Sequence, residues 1–339
     1  MKHHRRALSI ILAALTALTL FSGCAKQEEP ADQPEVPSTP EKVYTIGVIQ
    51  YAEHPALDAA CQGFYDGLAA AGYVADEGVT YDFQNAQGDP NNLMTIGQRF
   101  VAANVDMILA IATPAAQAVA SQTETIPIVV TAVTDLVDAK LVASNEAPGG
   151  NVTGTTDLNP VDQQIELMLS LDPEVKTIGV LYTSNEDNSI LQANMVKAYC
   201  ETLGIEVVEG TVTSGNDVQQ VAQSLTGKID GLYVPTDNII ATAMPIVGEI
   251  MKEAKIPVIC GESNMVESGG LATLGINYYN LGYQTGEIAA RILNGEAAPA
   301  EMPVESQKDF DYAINGTVAE AIGVAIPEEL KEFVIYPEN

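Results

Sequence analysis

The feature that most constrains this chain is a repeat. Thr45-Ile46-Gly47-Val48-Ile49 returns as Thr177-Ile178-Gly179-Val180-Leu181. Asp106-Met107-Ile108-Leu109 returns as Asp230-Gly231-Leu232-Tyr233, and Ile126-Pro127-Ile128-Val129 returns as Ile256-Pro257-Val258-Ile259. The offsets are 132, 124 and 130 residues. Three apolar runs recurring in one order predict two lobes of like topology.

Between the runs the period changes from strand to helix. Thr45–Ile49, Val79–Phe83, Met107–Ile111 and Ile128–Thr131 read as strands. Pro55–Ala71 aligns Leu57, Ala60, Cys61, Phe64 and Leu68 on one face, and Asn91–Ala103 aligns Leu93, Ile96, Phe100 and Val101. Both are helical spacings. Pro114 opens a third helix, since proline suits a first turn. Apolar strands alternating with amphipathic helices predict an α/β fold with parallel sheets covered on both faces. Gly149-Gly150-Asn151-Val152-Thr153-Gly154 is the expected place for the crossing between lobes. A further strand and helix (Leu271–Gly275, Leu281–Leu293) and a last pair (Ala313–Asn315, Thr317–Ala321) predict that the chain crosses again.

Residues 1–23 read as a leader. Lys2, Arg5 and Arg6 precede the uncharged run Ala7–Leu20, which is too short to span a bilayer comfortably. Leu20-Phe21-Ser22-Gly23-Cys24 resembles a bacterial lipobox with Cys24 as the lipidated residue, although Phe21 stands where leucine is usual. Residues 24–42 combine Pro30, Pro34, Pro37 and Pro40 with acids, the composition of an extended tether reaching roughly 50 Å. The expectation is a protein outside the cytoplasm, lipid-anchored at the cell envelope.

Charge narrows the partners. With 15 Lys and Arg against 45 acids and a net charge of -30, nucleic acid is not an expected partner. Cys61, Cys200 and Cys260 lie on apolar stretches and read as buried free thiols. No zinc spacing, P-loop, dinucleotide motif or nucleophile elbow occurs, and His54 is the only histidine after the leader. Neither catalysis nor a metal or other cofactor is expected.

In open parallel sheets, ligands sit beyond the carboxyl ends of strands. The segments there are Tyr51-Ala52-Glu53-His54-Pro55, Ala112-Thr113-Pro114-Ala115-Ala116-Gln117, Thr131-Ala132-Val133-Thr134-Asp135, Thr183-Ser184-Asn185-Glu186-Asp187-Asn188-Ser189, Pro235-Thr236-Asp237-Asn238 and Gly261-Glu262-Ser263-Asn264. They are rich in hydroxyls, amides and carboxylates, and hold no Lys or Arg. Thr113 at a helix N-terminus suits a carboxylate. Glu53, Glu186 and Asp237 suit an ammonium, with Asn188, Ser189 and Asn238 completing hydrogen bonds. An α-amino acid has both charges. Each of these residue types also caps helices, so that role stands beside the binding one.

The same segments resemble the substrate-binding lipoproteins of ABC transporters in the tryptophan/tyrosine-binding branch, from about Val43 to Pro337, with Leu274-Gly275-Ile276-Asn277-Tyr278-Tyr279 among the matching pieces. The resemblance implies the type I periplasmic-binding-protein fold, two Rossmann-like lobes joined by a three-crossing hinge. Lobe 1 would comprise 43–155 plus 276–306, and lobe 2 would comprise 156–275 plus 307–337. It implies capture of a small amino acid, aromatic by that likeness, by a monomer that delivers it to an ABC permease and its ATPase. The expected ligand-binding residues are Glu53, Thr113, Pro114, Ala115, Thr131, Thr134, Ser184, Glu186, Asn188, Ser189, Asp237 and Asn238. Tyr51, Tyr182, Tyr233 and Tyr279 are candidate aromatic walls. Asp135-Leu136 and Lys140 depart from the family pattern of Asp-Pro and Gly, which puts the role of Asp135 in doubt. A surface sensor or adhesin that has kept the fold is the alternative.

Overall fold

The computed structural model describes residues 42–337. The expected leader, Cys24 and nearly all of the tether lie outside the described residues. The first part runs β1(Tyr44–Gln50), α1(Pro55–Ala70), β2(Val79–Asn85), α2(Pro90–Ala103), β3(Met107–Ile111), α3(Thr113–Ala120), β4(Ile128–Val133) and β5(Val152–Thr156). The second runs α4(Val161–Leu171), β6(Thr177–Thr183), α5(Asp187–Leu203), β7(Glu206–Val212), α6(Gly215–Leu225), β8(Gly231–Val234), α7(Asn238–Ala254), β9(Val258–Cys260), α8(Ser263–Glu267) and β10(Ala272–Gly275). The remainder is α9(Tyr278–Leu293), β11(Glu305–Ser306), β12(Asp311–Asn315), α10(Gly316–Ile322) and β13(Val334–Ile335).

Local chemistry explains the helix ends. Pro55 and Pro90 occupy first turns, where no backbone N–H is needed. Asp89 caps α2 by accepting from the Asn91 N–H, and Asn104 ends it in the left-handed region. Gly204 does the same for α5. All five residues of β3 are buried, as a strand covered on both faces requires.

The strands form two sheets. The first has the order β11-β5-β4-β3-β1-β2 and the second β13-β12-β10-β9-β8-β6-β7. All pairings are parallel except β10 with β12. The order β2-β1-β3-β4-β5 is repeated by β7-β6-β8-β9-β10, which is the duplication read from the sequence.

The chain passes between the sheets three times. β5 belongs to the first sheet, while α4 packs in a core of the second. α9 returns to the first core through Leu281, Ile288 and Ala289. After β11 the chain goes back to β12. The first passage therefore follows Thr156, not the glycines at 149–154. Gly154 serves another purpose: it has φ +148, and a Cβ there would lie 2.1 Å from the Val130 carbonyl oxygen. Gly154 marks a close strand approach between β4 and β5.

α9 lies on α1 with little between the backbones. A Cβ at Gly282 would lie 1.9 Å from the Ala60 carbonyl oxygen, and one at Gly63 would lie 2.0 Å from that of Tyr279. Cys61, Cys200 and Cys260 are buried free thiols.

Candidate functional site

The carboxyl ends of both sheets face one another across a cleft. Three hydrogen bonds cross it. His54 Nε2 lies 3.4 Å from Asn238 Oδ1, Thr134 Oγ1 lies 3.4 Å from Thr236 Oγ1, and Gln117 Nε2 donates to Asp187 Oδ2 at 2.8 Å. Near the passages between sheets is a cavity of about 10 Å³, room for about one water in this arrangement of the lobes. His54, Leu57, Asp157, Asn238, Met265 and Tyr278 are among its walls, with Ala132, Asp237 and Glu262.

Glu186 and Asn188 stand at the start of α5. Glu186 Oε2 accepts from the Asn238 amide group and backbone N–H, while Asn188 Nδ2 donates to the Thr236 carbonyl at 2.9 Å. Glu186 Oε1 and Asn188 Oδ1 are buried with no partner among the described residues. Burial first, and the charge of Asp237 second, push the Glu186 carboxyl up to about 8.

Thr113 is the first residue of α3, and its buried hydroxyl also has no partner among the described residues. Pro114 and Ala115 complete the first turn. Ala112 precedes them with φ +82 and ψ 152, a region that almost only glycine adopts. The bond from Gln117 to Asp187 holds this helix against the start of α5.

Other expected residues do different work. Asp237 accepts from the Thr183 N–H at 2.6 Å, the Thr183 hydroxyl at 2.8 Å and the Ile240 N–H at 2.8 Å. It caps α7 and ties that helix to β6, so both its oxygens are engaged within one lobe. Burial raises its carboxyl above the ordinary range against those donors. Thr131 is fully buried and joins a hydroxyl chain through Thr155 to Thr285, away from the cavity walls. Ser189 is fully buried and accepts from Asn188 Nδ2 at 3.3 Å.

Of the twelve expected ligand-binding residues only Asp237 and Asn238 line the cavity, and Glu53 and Ser184 are exposed as well. His54 lines it instead of Glu53. The Ser184 hydroxyl is turned to the Val212 carbonyl at 3.2 Å. Asp135 Oδ1 accepts from the Val137 and Asp138 N–H groups and so caps a turn. Lys140, where the family has glycine, adopts φ +60.

None of the four tyrosines named from the sequence lines the cavity. Their hydroxyls bond to the Gly88 carbonyl (Tyr51), Glu209 (Tyr182), Gln164 (Tyr233) and Asp66 (Tyr279). Tyr278 lines it, and its hydroxyl donates to Asp157 Oδ2. Asp157 was not among the expected residues. It follows β5 as the other site residues follow their strands, a signal lost when that segment is read as hinge. Glu262 lines the cavity too, and both its oxygens cap α8 through the Asn264 and Met265 N–H groups. Burial pushes its carboxyl up to about 7.

Two hinged α/β lobes with a polar cleft at the strand ends are the architecture of the type I periplasmic binding proteins. The profile described as ABC transporter substrate binding protein matches residues 45–334, and the chain belongs to that family. It is 41% identical over 319 residues to the "Tyrosine-binding protein" of Clostridioides difficile (strain R20291), covering 94% of this chain and 92% of that one. A Streptococcus pneumonia structure described as an ABC domain in complex with L-Trp matches with TM-score 0.84 and 41% identity, over 87% of this chain and 100% of that one. A substrate-binding protein with adhesive properties from Clostridium difficile, described as ligand-free and open, matches with TM-score 0.67 and 45% identity, over 87% and 100%.

Proposed function

We propose that this chain is the extracytoplasmic binding protein of an ABC importer, capturing an aromatic amino acid (tryptophan, tyrosine or phenylalanine) between its lobes. In this reading 43–155 with 276–306 and 156–275 with 307–337 form the two jaws. Residues 1–23 are a leader, Cys24 carries the lipid, and the tether of residues 24–42 holds the body off the membrane. The closed monomer then delivers its ligand to the permease, and the partner ATPase drives transport.

The observation that carries the reading is the set of buried, unpartnered atoms on the two sides of the cleft. Thr113 Oγ1 stands at a helix N-terminus on one side, and Glu186 Oε1 and Asn188 Oδ1 stand on the other. Donors at a positive helix end suit a carboxylate, and the free oxygens of Glu186 and Asn188 suit an ammonium, whose charge would hold the Glu186 carboxyl ionised. The names of the tyrosine-binding relative and the L-Trp complex support an aromatic side chain. Ligand contacting both lobes would favour the closed state by its differential contacts.

A thermal-shift screen of residues 25–339 against free amino acids tests this. Binding to the native state alone adds about 2.7 kcal/mol at a hundredfold excess over Kd. Aromatic L-amino acids are expected to raise Tm, and bound tryptophan should show its own emission, because the chain has no Trp. A folded, ligand-free protein that shifts with no amino acid contradicts the reading. The adhesive relative favours a second role at the cell surface, tested by binding of the purified body to host cells.

A further inference from the structure

Among the described residues Asp157, Glu186, Asp237 and Glu262 are buried acids, and no Lys or Arg is buried. None of the ion pairs among those residues reaches the four acids. Buried carboxylates without a counter-ion are held either by protons or by a cation from outside.

Glu186 and Asp237 divide that burden unequally. They stand before α5 and α7, and the charge of each bears on the other. Asp237 Oδ1 accepts from the Thr183 hydroxyl and the Ile240 N–H, and Oδ2 accepts from the Thr183 N–H. A proton on either oxygen would displace a hydrogen bond. Glu186 gathers its donors on Oε2, from the Asn238 N–H and amide and, at 3.4 Å, from Asn188 Nδ2. Oε1 is buried with no partner among the described residues. A proton there displaces nothing, so the pair's proton belongs on Glu186 Oε1.

The surrounding groups supply no positive charge. Tyr51 faces Glu186 from the first lobe, and burial pushes its phenol far up, so it stays neutral. His54, reached through Asn238, is held neutral by burial, at about 4 against an ordinary 6.5. Asp187 is exposed and receives Gln117. Asp157 and Glu262 share the cavity wall with Asp237 and Asn238 and are acids themselves.

Resting on the amino-acid reading, we propose that ligand capture exchanges a proton for an ammonium at Glu186. The unliganded site holds a proton on Oε1. The arriving ammonium donates an N–H to that oxygen, and the displaced proton leaves to solvent. Glu186 is then a neutral acid before capture and half of a neutral ion pair after it, so the buried site gains no net charge. Burial and the Asp237 charge push the carboxyl up to about 8, which keeps the proton in place at neutral pH until ligand arrives. Protons and ligand compete, and affinity falls in acid.

Calorimetric titration of ligand-free residues 25–339 with L-tryptophan, L-tyrosine and L-phenylalanine at neutral pH, in phosphate and in Tris, tests this. The buffers differ in heat of ionisation, so the difference in apparent binding heat counts protons. About one proton released per bound ligand is expected, and Kd should fall roughly tenfold from about pH 6 to about pH 7 and level off above about pH 8. Glu186→Gln keeps the side-chain volume but cannot carry the proton. Confirmed folded by circular dichroism, it should bind more weakly and release almost none. Binding to the wild-type protein with less than about 0.3 proton released overturns the exchange and leaves the amino-acid reading standing. Release undiminished in the variant overturns the assignment to Glu186. Binding of none of the three ligands overturns the aromatic reading and this inference together. Should the variant fail to fold or to bind, the wild-type proton count and pH profile decide.

Discussion

His54 and Asn238 meet across the cleft, 184 residues apart in sequence, with His54 Nε2 at 3.4 Å from Asn238 Oδ1. Asn238 also donates to Glu186. One amide thus links a neutral imidazole on the first lobe to a buried acid on the second. Any separation of the two lobes would break this contact.

The buried acids set the pH response of the closed body. Glu186 and Glu262 have ordinary values of 4.5 and are raised to about 8 and about 7, mainly by burial. The folded chain therefore holds more protons than the unfolded one between those limits. Stability from these groups is full below pH 4.5 and is lost as pH rises through 7 to 8. His54 acts in the opposite sense, since its lowered value costs stability as pH falls from 6.5 toward about 4. Tm is expected to drop between about pH 6.5 and about pH 8.5, and less in Glu186→Gln. Thermal unfolding scans in matched ionic strength check it, and a Tm that climbs across that interval contradicts it.

Glu186 and Asp237 are neighbouring acids with separable roles. Asp237→Ala removes the acceptor of three donors in one lobe and is expected to cost about 3 kcal/mol of stability. Glu186→Ala removes the unpartnered oxygen and is expected to weaken amino-acid binding by about 1.5 kcal/mol or more. Urea melts and calorimetry on both variants distinguish them. Equal loss of affinity in folded Asp237→Ala would sink the division.

Gly282→Ala should disrupt the seam between α1 and α9. The added carbon would lie 1.9 Å from the Ala60 carbonyl oxygen, so the helices must separate. Overpacking of this kind costs about 1–3 kcal/mol, and the backbone contact places the change at the upper end. A urea midpoint unchanged from wild type would show that the seam yields freely.

Ala112→Gly should relieve strain. The residue sits at φ +82 and ψ 152 before α3. Such conformations cost about 1–3 kcal/mol for an L-residue, and the entropy of a new glycine offsets about 0.5–1 kcal/mol of the relief. A gain of about 1 kcal/mol is expected in chemical denaturation. Destabilisation of similar size would refute the strain argument.

Much of the molecule was legible because periodicity and punctuation are local. Met107–Ile111 declares a strand buried on both faces, and Pro55 declares a helix start. The rule of looking beyond strand ends pointed to Thr113, Glu186, Asn188 and Asn238, since a loop's polar residues are read directly, and the structure buries all four. The same rule chose Glu53 over His54, and the structure exposes Glu53 and buries His54. They are adjacent in an extended segment, where neighbouring side chains point apart, and only the packed backbone decides which one is buried.

Roles that need a distant partner could not be read at all. Asp237 has the chemistry of an ammonium ligand, yet Thr183, 54 residues away, engages it from β6. Asp157 and Tyr278 lie 121 residues apart on separate passages between the sheets and meet at the cavity. The sequence by itself determined the duplicated α/β architecture and the segments that border the cleft, because strand and helix periods and loop composition follow from neighbours along the chain. Tertiary structure alone decided which polar atoms there are satisfied and which remain unpaired, because hydrogen-bond partners come from residues far away in sequence, and the unpaired atoms are those free to recognise a ligand.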